Sequence, residues 1–125
     1  MRHPRVVGNH VKKLPAPLQR ADDLCPLLLP TGCESNYYKY PLLLPRGCDR
    51  AAVKRSIREQ YGVMLSGEVY ARPLHTEPAL REFADGPLPV AEDICSRHVC
   101  LPIHSDMTDA EVEIVIRAVT EALTA

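Results

Sequence analysis

No apolar run in this chain comes near the ~20 residues a bilayer span needs. The longest, Leu27 to Leu29 and Leu42 to Leu44, are three-residue clusters closed by prolines, so no membrane segment is expected. A surplus of charge is also missing: fifteen Lys and Arg stand against sixteen Asp and Glu, for a formal net charge of −1. Nucleic-acid binders carry a clustered basic excess, and that footprint is absent. The one locally basic stretch, KRSIR at residues 54 to 58, falls on helical spacing and reads as a solvated helix face. No apolar segment follows the basic start MRHPRVVGNH, so a secretory signal is not expected and a cytoplasmic protein is. Disulfides are disfavoured for the same reason. Five cysteines, an odd number, without an export signal do not make a framework, and in a reducing compartment they behave as small buried hydrophobes.

What the chain does have is a dense patch at residues 95 to 104, CSRHVCLPIH, with two cysteines and two histidines. Structural zinc wants four thiolate or imidazole ligands converging tetrahedrally, commonly from CxxC knuckles. Here the spacing is Cys95-x2-His98-x-Cys100-x3-His104, and one short extended segment cannot wrap four such ligands around one ion. No CxxC exists for a redox pair either. The patch therefore reads as an ordinary strand, and no metal site is expected.

The 125 residues suit one modest core. Residues 1–35 read as a lead-in, where Pro15 and Pro17 permit at most a short helix starting at one of them. A small echo follows: PLLLP precedes a Gly-Cys pair at residues 26–30 and again at 41–45. Two copies are too few for a solenoid, and the echo reads as a coincidence of strand edges. From residue 36 the signals sharpen. Tyr37 to Leu44 is aromatic and apolar, ends in the turn PRGCD, and predicts a strand. Asp49 can cap a helix over Arg50 to Tyr61, with Val53, Ile57 and Tyr61 on one face and Gly62 at its end. VMLSGEVY (63–70) predicts a second strand, bent at Gly67. A proline-started helical turn is expected over Glu77 to Phe83, a short helix over PVAEDICSR, and a third strand over HVCLPI. Thr108-Asp-Ala-Glu111 is a capping box, and behind it Val112, Val115, Ile116, Val119 and Leu123 stripe one helix face. The expected fold is α+β: a small sheet of about three strands covered by helices.

The order YYKYPLLL, DRAAVKRSIREQYGV, GEVYARPLHTEPAL, GPLPVAEDICSRHVCLP and SRHVCLPIHSDMTDAEVEIVIRAV, over about residues 34 to 123, resembles the C-terminal segment of the DegT/StrS family. These are pyridoxal-phosphate-dependent aminotransferases that make amino sugars. The resemblance implies the small C-terminal domain of a fold-type I aminotransferase over residues 36–125, with residues 1–35 as an interdomain-type lead-in. It also implies that the Schiff-base lysine, the acidic partner of the pyridinium and the phosphate donors belong mainly to a large domain. Lys12, Lys13, Lys39 and Lys54 lack the surroundings of that lysine and read as surface residues. Pyridoxal phosphate is thus expected in the intact enzyme and not on this chain alone.

What carries over residue by residue is the PLH motif, here Pro73-Leu74-His75. By resemblance His75 faces the cofactor and sugar and orients them without accepting the proton. Tyr70 and Arg72 flank it, and Arg72 could offer a forked donor to a nucleotide phosphate. Tyr37, Tyr38 and Tyr40 read as sheet packing. The expected function is the C-terminal part of an enzyme moving an amino group, from glutamate or another amino acid, to a keto group on a nucleotide-linked sugar or cyclitol. Such a chain is expected to be a split or truncated product, inactive alone. Its expected partner is a large domain in trans or in a longer parent chain, and a homodimer is a further expectation. A second reading is a non-catalytic binding or regulatory module that keeps the fold. Loss of a large domain should expose apolar surface, for which Leu27–Leu29 and Leu42–Leu44 are the candidates.

Overall fold

Asp49 starts the first helix as its chemistry predicts. Its carboxylate accepts from the amides of Ala51 (2.8 Å) and Ala52 (3.1 Å), two of the donors that a helix start leaves open. Helix α1, Arg50–Tyr61, ends at Gly62, whose left-handed backbone lets its N–H bond the Arg58 carbonyl. The computed structural model describes residues 25–26, 30–36, 38–65, 67–104 and 106–124. The helix foreseen near Pro15 or Pro17, Lys12 and Lys13, Leu27–Leu29 and Tyr37 lie outside them.

Strand β2, Tyr40–Leu43, and strand β3, His98–Leu101, form the antiparallel body of the sheet, with Leu42 opposite Val99 and Leu43 opposite His98. A two-residue rung, β1 (Cys25–Pro26), pairs antiparallel along the other edge of β2, at Leu42 and Leu43. Pro41 sits beyond that rung, where its missing N–H costs nothing to β1. Strand β2 is shorter than expected because Asn36 accepts from the Tyr38 amide in a local turn, and Tyr38 ends up exposed while Tyr40 packs on the core.

Side chains directly opposite in an antiparallel pair share a face. One face therefore carries Tyr40, Leu42, Val99 and Leu101, and these join Ile57 of α1 and Val115, Ile116, Ala118 and Val119 of the C-terminal helix in the core. Helix α3, Asp109–Thr124, begins in the capping box foreseen: the Thr108 amide donates to Glu111 (2.7 Å) and the Glu111 amide to the Thr108 hydroxyl (3.3 Å). In its stripe Val115, Ile116 and Val119 are buried, and Val112 and Leu123 are half-buried against the core. The Tyr61 hydroxyl also donates to Glu121, tying the end of α1 to α3; this bond raises the tyrosine pKa.

The second face carries Leu43, His98 and Cys100, all buried. It is covered by the segment that leaves the core after Leu65. That segment was expected to be a strand, and its described residues form none. The reason is that its backbone partners are side chains: Lys39 Nζ donates to the carbonyls of Gly67 (2.8 Å) and Glu68 (3.4 Å), and the Val69 N–H donates to His98 Nε2 (3.0 Å). A chain satisfied in this way has no need of a ladder. Two 3₁₀ turns follow, Leu74–Thr76 and Pro78–Phe83, and then helix α2, Pro89–Arg97, with proline in its first turn.

One further expectation is overturned. Leu42, Leu43 and Leu44 are buried, Leu42 and Leu44 almost completely, so they are core and not surface left by a lost partner. The echoed segments end in turns of the same kind. Pro30-Thr-Gly-Cys33 and Pro45-Arg-Gly-Cys48 close with the same bond, from the cysteine N–H to the proline carbonyl (3.0 and 3.3 Å), and Gly32 and Gly47 share φ near +85°. Both are turns whose third position demands a positive φ. Among the described residues no helix is long and apolar enough to cross a membrane.

Candidate functional site

The excursion from residue 67 to 90 hangs on a polar anchor. Glu68 lies between α1 and the sheet, with Lys54 Nζ at 2.8 Å and Arg50 Nε at 3.8 Å. Burial works to raise its carboxyl. The hydrogen bond from Lys54, a backbone hydrogen bond and the charges of Lys54 and Arg50 outweigh it and hold the group below the ordinary carboxylate range. Arg50 also donates to the carbonyls of Cys95 (2.6 Å) and His98 (3.4 Å), at the α2–β3 junction. At the same junction Arg97 bonds the Leu44 carbonyl (2.7 Å) and grips Asp93 with Nε and Nη2. The hydrogen bond from Arg97 is the largest cause of the depressed Asp93 pKa. The start of the excursion is thus held by three cations from elsewhere in the fold, Lys39, Arg50 and Lys54.

His98 completes the anchor. It is buried, with Nδ1 donating to the Ile94 carbonyl (2.8 Å) and Nε2 accepting from Val69. Both ring nitrogens are spent on protein backbone. Cys100, beside it on the same face, is buried and its thiol pKa is pushed up by that burial. Within the His/Cys patch of the sequence, His98 thus ties the excursion to the sheet. Among the described residues no three His, Cys, Asp or Glu side chains gather as a metal site.

Above the anchor sit the three residues expected at a cleft. His75 lies in the first 3₁₀ turn, which Thr76 closes by bonding the Pro73 carbonyl with its amide (3.0 Å) and its hydroxyl (2.8 Å). The His75 side chain is only 12% exposed, and its Nε2 lies 2.9 Å from Glu92 Oε1. Its Nδ1 is buried with no hydrogen-bond partner among the described residues. Tyr70 is exposed. Arg72 is largely exposed and reaches back to Glu77 at 3.1 Å. The excursion carries both Arg72 and His75, and each already faces a carboxylate, Glu77 and Glu92 respectively.

Glu92 is the residue that sequence reasoning missed. It stands in the first turn of α2, where a carboxylate is favoured by the helix dipole, and its Oε1 accepts from the Leu88 amide (3.0 Å) as well as from His75. The residue order PVAE marks a first-turn acid; nothing in the order marks the reach across 17 positions to His75. A groove of about 570 Å³ among the described residues lies elsewhere. It is lined by Lys54, Arg55, Arg58, Glu59, Met64 and Leu65 and contains none of Tyr70, Arg72 and His75.

Pyridoxal phosphate, the cofactor implied by the resemblance, does not fit the described residues. A Schiff base needs a lysine amine open to an aldehyde. Lys39 is committed to the carbonyls of residues 67 and 68, and Lys54 to Glu68.

Comparison with known proteins gives consistent matches. The family model described as the DegT/DnrJ/EryC1/StrS aminotransferase family matches residues 9–120. A dTDP-4-dehydro-2,3,6-trideoxy-D-glucose 4-aminotransferase from Saccharopolyspora spinosa is 37% identical over 97 residues, which span 74% of this chain and 22% of that protein. The aminotransferase TlmJ from Streptoalloteichus hindustanus superposes with a TM-score of 0.78 at 31% identity, over 96% of this chain and 31% of TlmJ. DesV from S. venezuelae, solved with a ketimine intermediate, superposes at 0.83 with 18% identity, over 98% of this chain and 32% of its own, and so attests the fold. The chain spans about a third of these solved relatives and less than a quarter of the curated one.

Proposed function

The chain belongs to the DegT/DnrJ/EryC1/StrS aminotransferase family, and we propose on that premise that it supplies the small-domain wall of a sugar aminotransferase cleft. The lysine-bearing, pyridoxal-phosphate-binding large domain comes from another chain or from a longer parent. Residues 36–125 form the small-domain unit and residues 1–35 lead into it. The reaction transfers an amino group from an amino acid such as glutamate to the keto carbon of a nucleotide-linked sugar or cyclitol, a cytoplasmic substrate class. His75 faces the cleft, flanked by Tyr70 and Arg72. Without the large domain the chain is inactive.

One observation carries this reading. Among the described residues, seven of the ten large apolar side chains left exposed fall between residues 69 and 90, around His75. Phe83 and Val90 are 73% and 71% exposed, although the rest of the fold buries its apolar stripes well. An apolar surface concentrated on one excursion marks a partner's footprint. Here it surrounds the residues expected at the cleft.

Co-expression with the large domain of the Saccharopolyspora spinosa relative tests the proposal. The pair is expected to show protein-bound cofactor absorbance and to aminate that relative's keto sugar with glutamate as donor, and neither half alone is expected to turn over. If the two parts purify separately and no turnover appears, the chain is a binding module and the proposal fails.

A further inference from the structure

His75 and Glu92 form a pair whose geometry dictates where a proton sits. An ionised carboxylate can only accept hydrogen bonds, and Glu92 Oε1 already takes the Leu88 N–H at 3.0 Å. For the 2.9 Å contact from His75 Nε2 to that same oxygen to be a hydrogen bond, the ring must carry a proton on Nε2 and donate it. In a neutral ring the other nitrogen, Nδ1, then holds a lone pair. It is buried and has no partner among the described residues. A buried polar atom left without a partner is unfavourable, and native proteins keep few of them. Such an atom at the centre of an otherwise satisfied turn points to a donor that the described residues do not supply.

We propose that Glu92 is a positioning residue. It fixes His75 with Nε2 protonated, so that Nδ1 is reserved as an acceptor for a hydroxyl or amide donor in the assembled cleft. This rests on the reading that His75 faces that cleft. The role is selective: a histidine held with Nε2 protonated offers an acceptor at Nδ1, whereas the other tautomer would offer a donor there and would repel the same group. Glu92 also fixes the ring's rotation, because its own place is set by the first turn of α2 and by the Leu88 amide. A side chain 17 residues away thereby aims the loop histidine without touching substrate.

The test has two arms. On the 125-residue chain, ¹⁵N spectra of the imidazole rings of wild type, Glu92→Gln and Glu92→Ala report which nitrogen is protonated. Wild type should show His75 protonated at Nε2 with a slowly exchanging ring N–H. Glu92→Gln should keep this state through its amide oxygen, and Glu92→Ala should lose the slow exchange and gain the Nδ1-protonated form. Protonation at Nδ1 in the wild type, or a Glu92→Ala spectrum identical to wild type, would overturn the assignment. In the assembled enzyme, His75→Ala and Glu92→Ala should each lower kcat/KM by about a hundredfold, the scale of a small misplacement of a reacting group. The double variant should be no worse than His75→Ala, since the two act as a unit. Losses that simply add would refute the coupling. Turnover untouched by His75→Ala, with the wild-type spectrum as expected, would overturn the cleft role of His75 and leave the tautomer standing.

Discussion

The fold makes its sharpest commitment at His98, where one buried ring ties β3 both to α2 and to the excursion that carries His75. The two bonds can be removed separately. Asparagine places an amide nitrogen near the position of Nδ1, so His98→Asn should keep the bond to Ile94 and lose the one to Val69. Glutamine places an oxygen near Nε2, so His98→Gln should do the reverse. His98→Leu loses both and leaves the Ile94 carbonyl and the Val69 amide without protein partners. A buried group stranded in this way costs about 1–3 kcal/mol. Each single loss is therefore worth about 1–2 kcal/mol, at the lower end because both bonds are partly buried, and the leucine variant about 3 kcal/mol. Urea denaturation of the chain measures the totals, and amide hydrogen exchange at Val69 assigns them. Val69 should lose protection in the asparagine and leucine variants and keep it in the glutamine variant. Equal Val69 protection in all three, or a leucine variant as stable as wild type, would refute the claim that His98 anchors the excursion.

Other outcomes follow from the same geometry. Glu68 is held below its ordinary pKa of 4.5, so its contribution to stability is whole above that value and drains away as pH falls through the lowered folded value. Glu68→Gln should therefore be less stable than wild type near neutrality and match it in acid, as read from urea midpoints across pH. Ala118 is fully buried between the helices and the sheet, and Ala118→Leu should overpack the core and cost about 1–3 kcal/mol, visible as a lowered thermal midpoint. Phe83→Asp with Val90→Asp should leave the fold's stability within about 0.5 kcal/mol, since both side chains are exposed. The same pair should abolish co-purification with a large domain; retained co-purification would place the partner's footprint elsewhere.

Much of the architecture was legible because local chemistry and burial agree. Asp49, Ile57 and Gly62 bracket and orient α1, and Thr108 with Glu111 starts α3 where the apolar stripe begins. The segment 63–70 differs from its strand-like composition because its partners, Lys39, Arg50 with Lys54, and His98, come from three distant places in the chain. The three leucines at 42–44 were taken for surface because a triple apolar run does not say which face is covered. Here one face meets the helices and the other the excursion, so all three are buried. The exposed apolar surface instead lies in Leu74, Phe83 and Val90, scattered singly among polar residues where no run draws attention. At the candidate site the PLH motif points to His75, whereas nothing in the residue order points to its partner Glu92, because only the α2 start brings position 92 to position 75.

The central claim is that this chain can stand in for the small domain of a sugar aminotransferase. It is tested most directly by a chimera in which the chain replaces the matching C-terminal part of the Saccharopolyspora spinosa enzyme. Turnover with glutamate and that enzyme's keto sugar is the measurement. The account predicts measurable amino transfer, lost on His75→Ala. A chimera that folds and binds its cofactor but transfers no amino group would contradict it.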